Sequence, residues 1–96
     1  MKKGTYVVVT TGKRGVFCGK LEVAVTSIPE TLRLLDVRQC IYWDVETKGF
    51  IGLSANGPTA NCRIGPASAN ILLDKIDSIA ECSGKALEAW RKEPWK

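Results

Sequence analysis

The sequence predicts a mainly β fold: a small, strongly bent antiparallel barrel that ends in a short C-terminal helix. Three observations predict it. Thr5–Thr11 (TYVVVTT) is dominated by β-branched residues, the composition of a strand. Short apolar runs separated by turn residues then recur along the chain, and five or six of them fit into 96 residues. The first convincing helix signal comes only at Ser83. With so few residues, closing the sheet on itself hides edges that a flat sheet would leave bare.

The elements follow in order. Gly12-Lys13-Arg14-Gly15 reads as a tight turn, with glycine free to take positive φ at either end. Val16–Val25 is its partner strand, with Val16, Cys18, Lys20 and Glu22 on one face and Phe17, Gly19, Leu21 and Val23 on the other. Gly19 breaks the apolar face, which predicts a bend or a close backbone approach. Thr26–Glu30 is a loop. Thr31–Asp36 and Val37–Trp43 are extended, as one bent strand or two short ones. Asp44–Lys48 is a polar turn, and Phe50–Leu53 reads as a short extended segment. A long loop over 54–69 holds the turn dipeptides Gly57-Pro58 and Gly65-Pro66. Asn70–Leu73 and Ile76–Cys82 complete the strands on either side of Asp74-Lys75. Ser83 is the N-cap of a helix over about 83–92, whose Ala86, Leu87 and Trp90 share one side and which Pro94 stops. Trp95 is expected to close the core or meet a neighbouring subunit. All of this makes a single domain over 1–96.

Composition narrows the function. The net charge is +4, from 14 basic and 10 acidic residues. Lys2, Lys3, Lys13, Arg14 and Lys20 fall in the first 21 residues without an acid among them, a bias that suits a phosphate-bearing partner. No apolar run is long enough to span a membrane, and no apolar segment of signal-peptide type follows the opening lysines. The four cysteines (Cys18, Cys40, Cys62, Cys82) lack Cys-x-x-Cys spacing and the chain has no histidine, so no zinc knuckle is expected. Cys18 and Cys40 read as buried strand residues. Cys62, beside Arg63, is the candidate for an acidic thiol. No base stands near it in sequence, and the chain is expected not to be an enzyme.

The segment Gly49–Leu73 is the chain's unusual feature, because Arg63 is its one charged residue in 25. A neutral stretch of small residues with one guanidinium predicts a pocket for an anionic small molecule. Arg63 would clamp a phosphate or carboxylate through its planar fork, or pair with Asp36 or Asp44. Asn56, Gly57, Thr59, Asn61 and Gly65 would surround the ligand with amide donors, or serve turn chemistry alone. Tyr42 and Trp43 are adjacent on a strand and face opposite ways, so one is free to stack on a ring. Arg38 alternates with apolar neighbours and is expected to point into a pocket or interface. Lys13 and Arg14, at a hairpin tip, reach for phosphate. Neither a phosphate-loop nor a dinucleotide glycine spacing occurs, and no cofactor or metal is expected.

Two resemblances bear on function. The rhythm of the first forty residues, with Gly19 at the bend of the second strand, resembles the start of an SH3-like or Sm-like barrel, whose Sm-like members form rings and bind RNA or nucleotides. Along most of its length the chain resembles a family of small uncharacterised proteins of phages and prophages. The residues that carry this are Tyr6–Thr10, Gly15–Glu22, Leu35–Trp43, Gly57-Pro58, Cys62–Pro66, Ile76–Ser83, Trp90 and Trp95. That resemblance implies phage association and no particular reaction. The expectation is a non-catalytic phage-type binding protein: a homo-oligomer in the host cytoplasm that sequesters an anionic, nucleotide-derived signal and so blunts host defence. A nucleic-acid-binding module and a phage structural or assembly protein are the alternatives.

Overall fold

A computed structural model describes residues 1–12 and 15–94. Six strands, β1 (Tyr6–Thr11), β2 (Val16–Leu21), β3 (Thr31–Tyr42), β4 (Arg63–Ile64), β5 (Ser68–Asp74) and β6 (Ile76–Glu81), form an antiparallel sheet. A 3-10 turn at Val45–Thr47 leads into α1 (Gly49–Ala55), and α2 (Gly84–Lys92) closes the chain. The expected mainly β architecture with a short C-terminal helix is therefore present. The expectations for Lys13, Arg14 and Trp95 fall outside the described residues.

β1 lies between β2 and β6, and β3 between β2 on one side and β4 and β5 on the other. The sheet does not close into the barrel expected from sequence. β5 pairs with β3 and β6 with β1, but the two meet end to end through Lys75, at φ 53. The chain itself, not a ladder, joins the two sides of the sheet. The reason lies in β1, whose Val7, Val8 and Val9 are all fully buried. Val7 and Val9 join Leu21, Leu32, Leu34, Val37 and Leu73 in one core, inside the bend of the sheet. Val8 joins Val16, Cys18, Cys40 and Ile64 in a second, where Leu53 of α1 and Ala86 and Trp90 of α2 provide the cover. A closed barrel has one apolar interior; this sheet is apolar on both faces, and helices take the second.

β3 is one bent strand. Its bend is Asp36, at φ 49, where Asp36 and Val37 together face Gly19 and the register slips by one residue, a bulge. The slip keeps Leu32, Leu34 and Val37 in the same core while Cys40 turns to the other. A Cβ on Gly19 would lie 3.0 Å from Leu34 Cβ and 3.1 Å from Val37 Cβ, so the predicted close approach is real.

The segment Phe50–Leu53, expected to be extended, is helical. Two successive residues of positive φ, Lys48 (66) and Gly49 (70), turn the chain into α1. Gly52 lets the helix sit on the 3-10 turn, because a Cβ there would fall 1.6 Å from the Thr47 carbonyl oxygen. α2 begins as predicted: Ser83 Oγ accepts from Ala86 N at 3.0 Å and donates to the Ala55 carbonyl at 2.7 Å, joining the two helices. Trp90 Nε1 adds a bond of 3.1 Å to the Leu53 carbonyl.

Candidate functional site

The neutral loop gathers its polar groups around a carboxylate of the chain's own. Asn61 Nδ2 donates to Asp44 Oδ2 at 2.9 Å, and Thr47 Oγ1 and Thr59 Oγ1 donate to Oδ1 at 3.1 and 3.3 Å. The Asn61 donor, helped by the two hydroxyls, holds the Asp44 carboxyl below its ordinary value against a smaller opposing effect of desolvation. Cys62 is fully buried beneath this knot, its Sγ 3.1 Å from Thr47 Oγ1. Thr59 and Asn61, expected to hold a ligand anion, therefore hold Asp44. A second anion placed here would meet the Asp44 charge.

The other residues expected at that loop separate. Asn56 Oδ1 accepts from Lys85 Nζ at 3.4 Å. Gly57, at φ 82, is buried where a Cβ would lie 2.6 Å from Ala89 Cβ, so its role is the contact between its loop and α2. Gly65 donates its N–H to the Gln39 carbonyl at 2.9 Å and accepts from Arg38 Nε at 2.8 Å. Arg38 does point inward, but to the end of α2: its Nη1 donates to the carbonyls of Trp90 (2.6 Å) and Glu93 (2.7 Å). These are carbonyls that a helix end leaves unpaired. Arg63 is exposed on β4, opposite Tyr42. Among the described residues, neither Asp36 nor Asp44 pairs with it; Asp36 instead accepts from Tyr6 Oη at 2.7 Å.

A different place holds one of the expected residues, Trp43. An open groove of about 510 Å³ runs between the β1–β2 hairpin and α1, lined by Trp43, Phe50, Thr10, Thr11, Asp77 and the glycines at 12, 15 and 49, with Val16 at its floor. That volume lies within the range of small-molecule sites, roughly 300–1,000 Å³. Trp43 and Phe50 are half-buried, each packed on the second core by one side. Tyr42 faces away and is 53% exposed. Of the adjacent aromatics, Trp43 is thus the one in a groove.

The hairpin rim is held firmly up to the described limit. Thr11 N donates to the Gly15 carbonyl at 2.9 Å and Gly15 N to Thr11 Oγ1 at 3.1 Å. Gly12 N donates to the Lys75 carbonyl at 2.8 Å, and the Thr10 and Ser78 hydroxyls are bonded. Lys13 and Arg14 are the two positions between these rim glycines. Sequence reasoning missed Phe50, which it placed in a short extended segment, and the rim residues Thr10, Thr11, Gly49 and Asp77. The paired turn glycines at 12 and 15 were the available signal.

The Cys40 thiol is a poor nucleophile. Desolvation, with the Cys62 sulfur nearby, pushes the Cys40 thiol up to about 12, so little thiolate exists near neutrality. Among the described residues no helix is long and apolar enough to cross a membrane. The family described as Domain of unknown function (DUF6948) matches residues 4–90, and the chain belongs to it. No curated protein and no solved structure matches the chain.

Proposed function

We propose that this member of the DUF6948 family is a non-catalytic binding protein whose groove between the β1–β2 hairpin and α1 takes a planar, anionic, nucleotide-like molecule. One observation carries the reading: Trp43 and Phe50 share an open groove with the two glycines that flank Lys13-Arg14. Stacking of an aromatic side chain on a base is worth roughly 1–3 kcal/mol. Lys13 and Arg14, the cations between those glycines in sequence, are of the type that suits a phosphate. The Asp77 carboxylate and the Thr10 and Thr11 hydroxyls add acceptors to the lining, suited to ring amino groups or sugar hydroxyls. A Cys40 thiol held protonated offers no nucleophile, in keeping with capture. The phage association implied by the sequence resemblance makes a host nucleotide signal the ligand to try first, with sequestration as the biological role. Arg63, Thr59 and Asn61 do not line this groove.

Tryptophan fluorescence titration with mono-, cyclic di- and linear dinucleotides, and with short single-stranded DNA, tests the reading. A saturable change is expected with at least one free nucleotide. Trp43→Leu and Phe50→Leu should each weaken it about five- to 150-fold, the equivalent of one lost stack. Lys13→Glu with Arg14→Glu should weaken it further, and Arg63→Ala should leave it unchanged. Calorimetry replaces fluorescence for the Trp43 variant. Wild-type affinity in the Trp43 and Phe50 variants, or binding lost only with Arg63→Ala, overturns the groove. Tight, salt-sensitive binding of single strands alone replaces the small ligand with nucleic acid.

A further inference from the structure

Among the described residues β5 has one ladder, to β3, and its other side is open. The direction of its backbone groups follows from the neighbouring pairs. Leu21 N donates to the Thr5 carbonyl at 2.9 Å, and the Leu21 carbonyl accepts from Gly4 N at 2.9 Å. Leu21 therefore turns its groups toward the β1 side, and Leu34, opposite it, turns its own away from β2 and toward Ile71 of β5. These directions alternate along a strand, so Asn70, Leu72 and Asp74 point their N–H and C=O groups to the open side. The Asn70 carbonyl takes a bond of 3.2 Å from Ser68 Oγ and keeps a second lone pair. Sheet edges are commonly guarded by charge, proline or a bulge. Residues 68–73 (SANILL) hold no charge and no proline, and their register with β3 is unbroken between Asn70 and Asp74. The other borders differ: β6 carries Asp77 and Glu81, and β4 is two residues long with Arg63 in it. Apolar surface lies on both faces of the β5 edge. Leu72, 58% exposed, borders an open groove of about 380 Å³ with Val23 and Pro29, and Ile71 borders one of about 220 Å³ with Ile41 and Phe17.

We propose that β5 is the surface through which two copies of this chain pair, antiparallel, about a two-fold axis at Leu72. The open groups select the axis. Asn70, Leu72 and Asp74 are symmetric about Leu72, so a two-fold there bonds Leu72 to Leu72 and Asn70 to the second copy's Asp74 in both directions. Every open group of the edge is then paired. Side chains agree with this register. Leu72 meets its own copy, and Ile71 meets the second copy's Leu73, apolar pairs of the kind that stabilise a sheet. Asn70 faces the second copy's Asp74. Its Oδ1 already accepts from Arg33 Nη1 at 2.6 Å, which leaves Nδ2 to donate to that carboxylate. An axis one residue earlier, at Ile71, sets Leu72 against Asn70 and leaves Asp74 without an open partner. The occupant is a second copy because this edge complements itself: no like charges face each other, apolar meets apolar, and amide meets carboxylate. None of these residues lines the groove of Trp43, so the pairing stands or falls apart from ligand binding.

Sedimentation velocity of the full-length protein over a wide concentration range tests this. A dimer of the 10.5 kDa chain is expected, with no larger species. Leu72→Glu sets two carboxylates face to face and should raise the concentration of half-dissociation at least about tenfold. An equimolar mixture of Leu72→Glu and Leu72→Lys should restore dimers as mixed pairs. Leu72→Cys should couple to itself between chains under mild oxidation, because Cα atoms in such a pair lie about 5.5 Å apart, within disulfide range; peptide mapping identifies the bond. Circular dichroism checks that each variant folds, and if Leu72→Glu does not, Leu72→Cys decides. A wild-type monomer overturns the proposal, whether its edge stays bare or takes an extended peptide. So do a larger ring, a dimer that folded Leu72→Glu leaves intact, and Leu72→Cys chains that fail to couple.

Discussion

A carboxylate encircled by three donors is a charge that the folded state favours. Asp44 has Asn61, Thr47 and Thr59 around it, and its carboxyl is more acidic than its ordinary value of 3.8. A depressed folded value means that stability is fully present above the ordinary value and is lost as pH falls through the folded one. The urea midpoint of the wild type should therefore drop between about pH 5 and pH 2, and Asp44→Asn should flatten part of that drop while lowering the plateau above it. Parallel acid limbs in the two proteins would show that the knot contributes nothing. The same residue explains why the loop misleads a sequence reader. Thr59 and Asn61 are separated from Asp44 by 15 and 17 positions, and no local pattern reveals that the donors face an internal anion. Arg38 was legible as pointing into a pocket or interface, because it alternates with apolar neighbours and shares its strand face with Cys40. That its targets were carbonyls of α2 was not legible.

The two helices show where local sequence speaks and where it is silent. α2 carries its own signals: the Ser83 cap, Ala86 and Trp90 on one side, and Pro94 beyond its end. α1 carries none. Gly49, Gly52 and Ile51 disfavour a helix on propensity, and tertiary fit overrides them: Leu53 is fully buried and Gly52 leaves room for the Thr47 carbonyl. Glycines at the helix contact are accordingly unequal. Gly57→Ala adds a methyl at positive φ and against Ala89, and should destabilise by about 2–4 kcal/mol. Gly84→Ala, at the first position of α2 and in open space, should be neutral or gain about 0.5 kcal/mol. Urea unfolding of the two variants measures both. Equal effects would mean that α2 does not pack on Gly57 as described.

Across the whole molecule, protection should follow the double core. Hydrogen exchange read by mass spectrometry should find the slowest amides at Val7–Val9, buried on both faces and paired on both edges. The fastest should lie in the exposed 22–30 connection. β1 exchanging as quickly as β5, which among the described residues pairs with β3 alone, would contradict the architecture. Much of this architecture was legible: the β1–β2 hairpin from its valines and turn, the bulge from Gly19, the mainly β class from strand spacing. Closure was not. The run Val7-Val8-Val9 announces burial on both faces, but nothing in it says that helices supply the second cover.

The placement of β1 between β2 and β6 also has a consequence for biosynthesis. β1 leaves the ribosome long before its partner β6, and α2, which with α1 covers Val8, is translated later still. Until then the nascent chain carries an unmatched strand border and a bare apolar side, the conditions under which partly made proteins stick to one another. A ribosome that stalls anywhere before residue 81 releases a fragment with no means of hiding either.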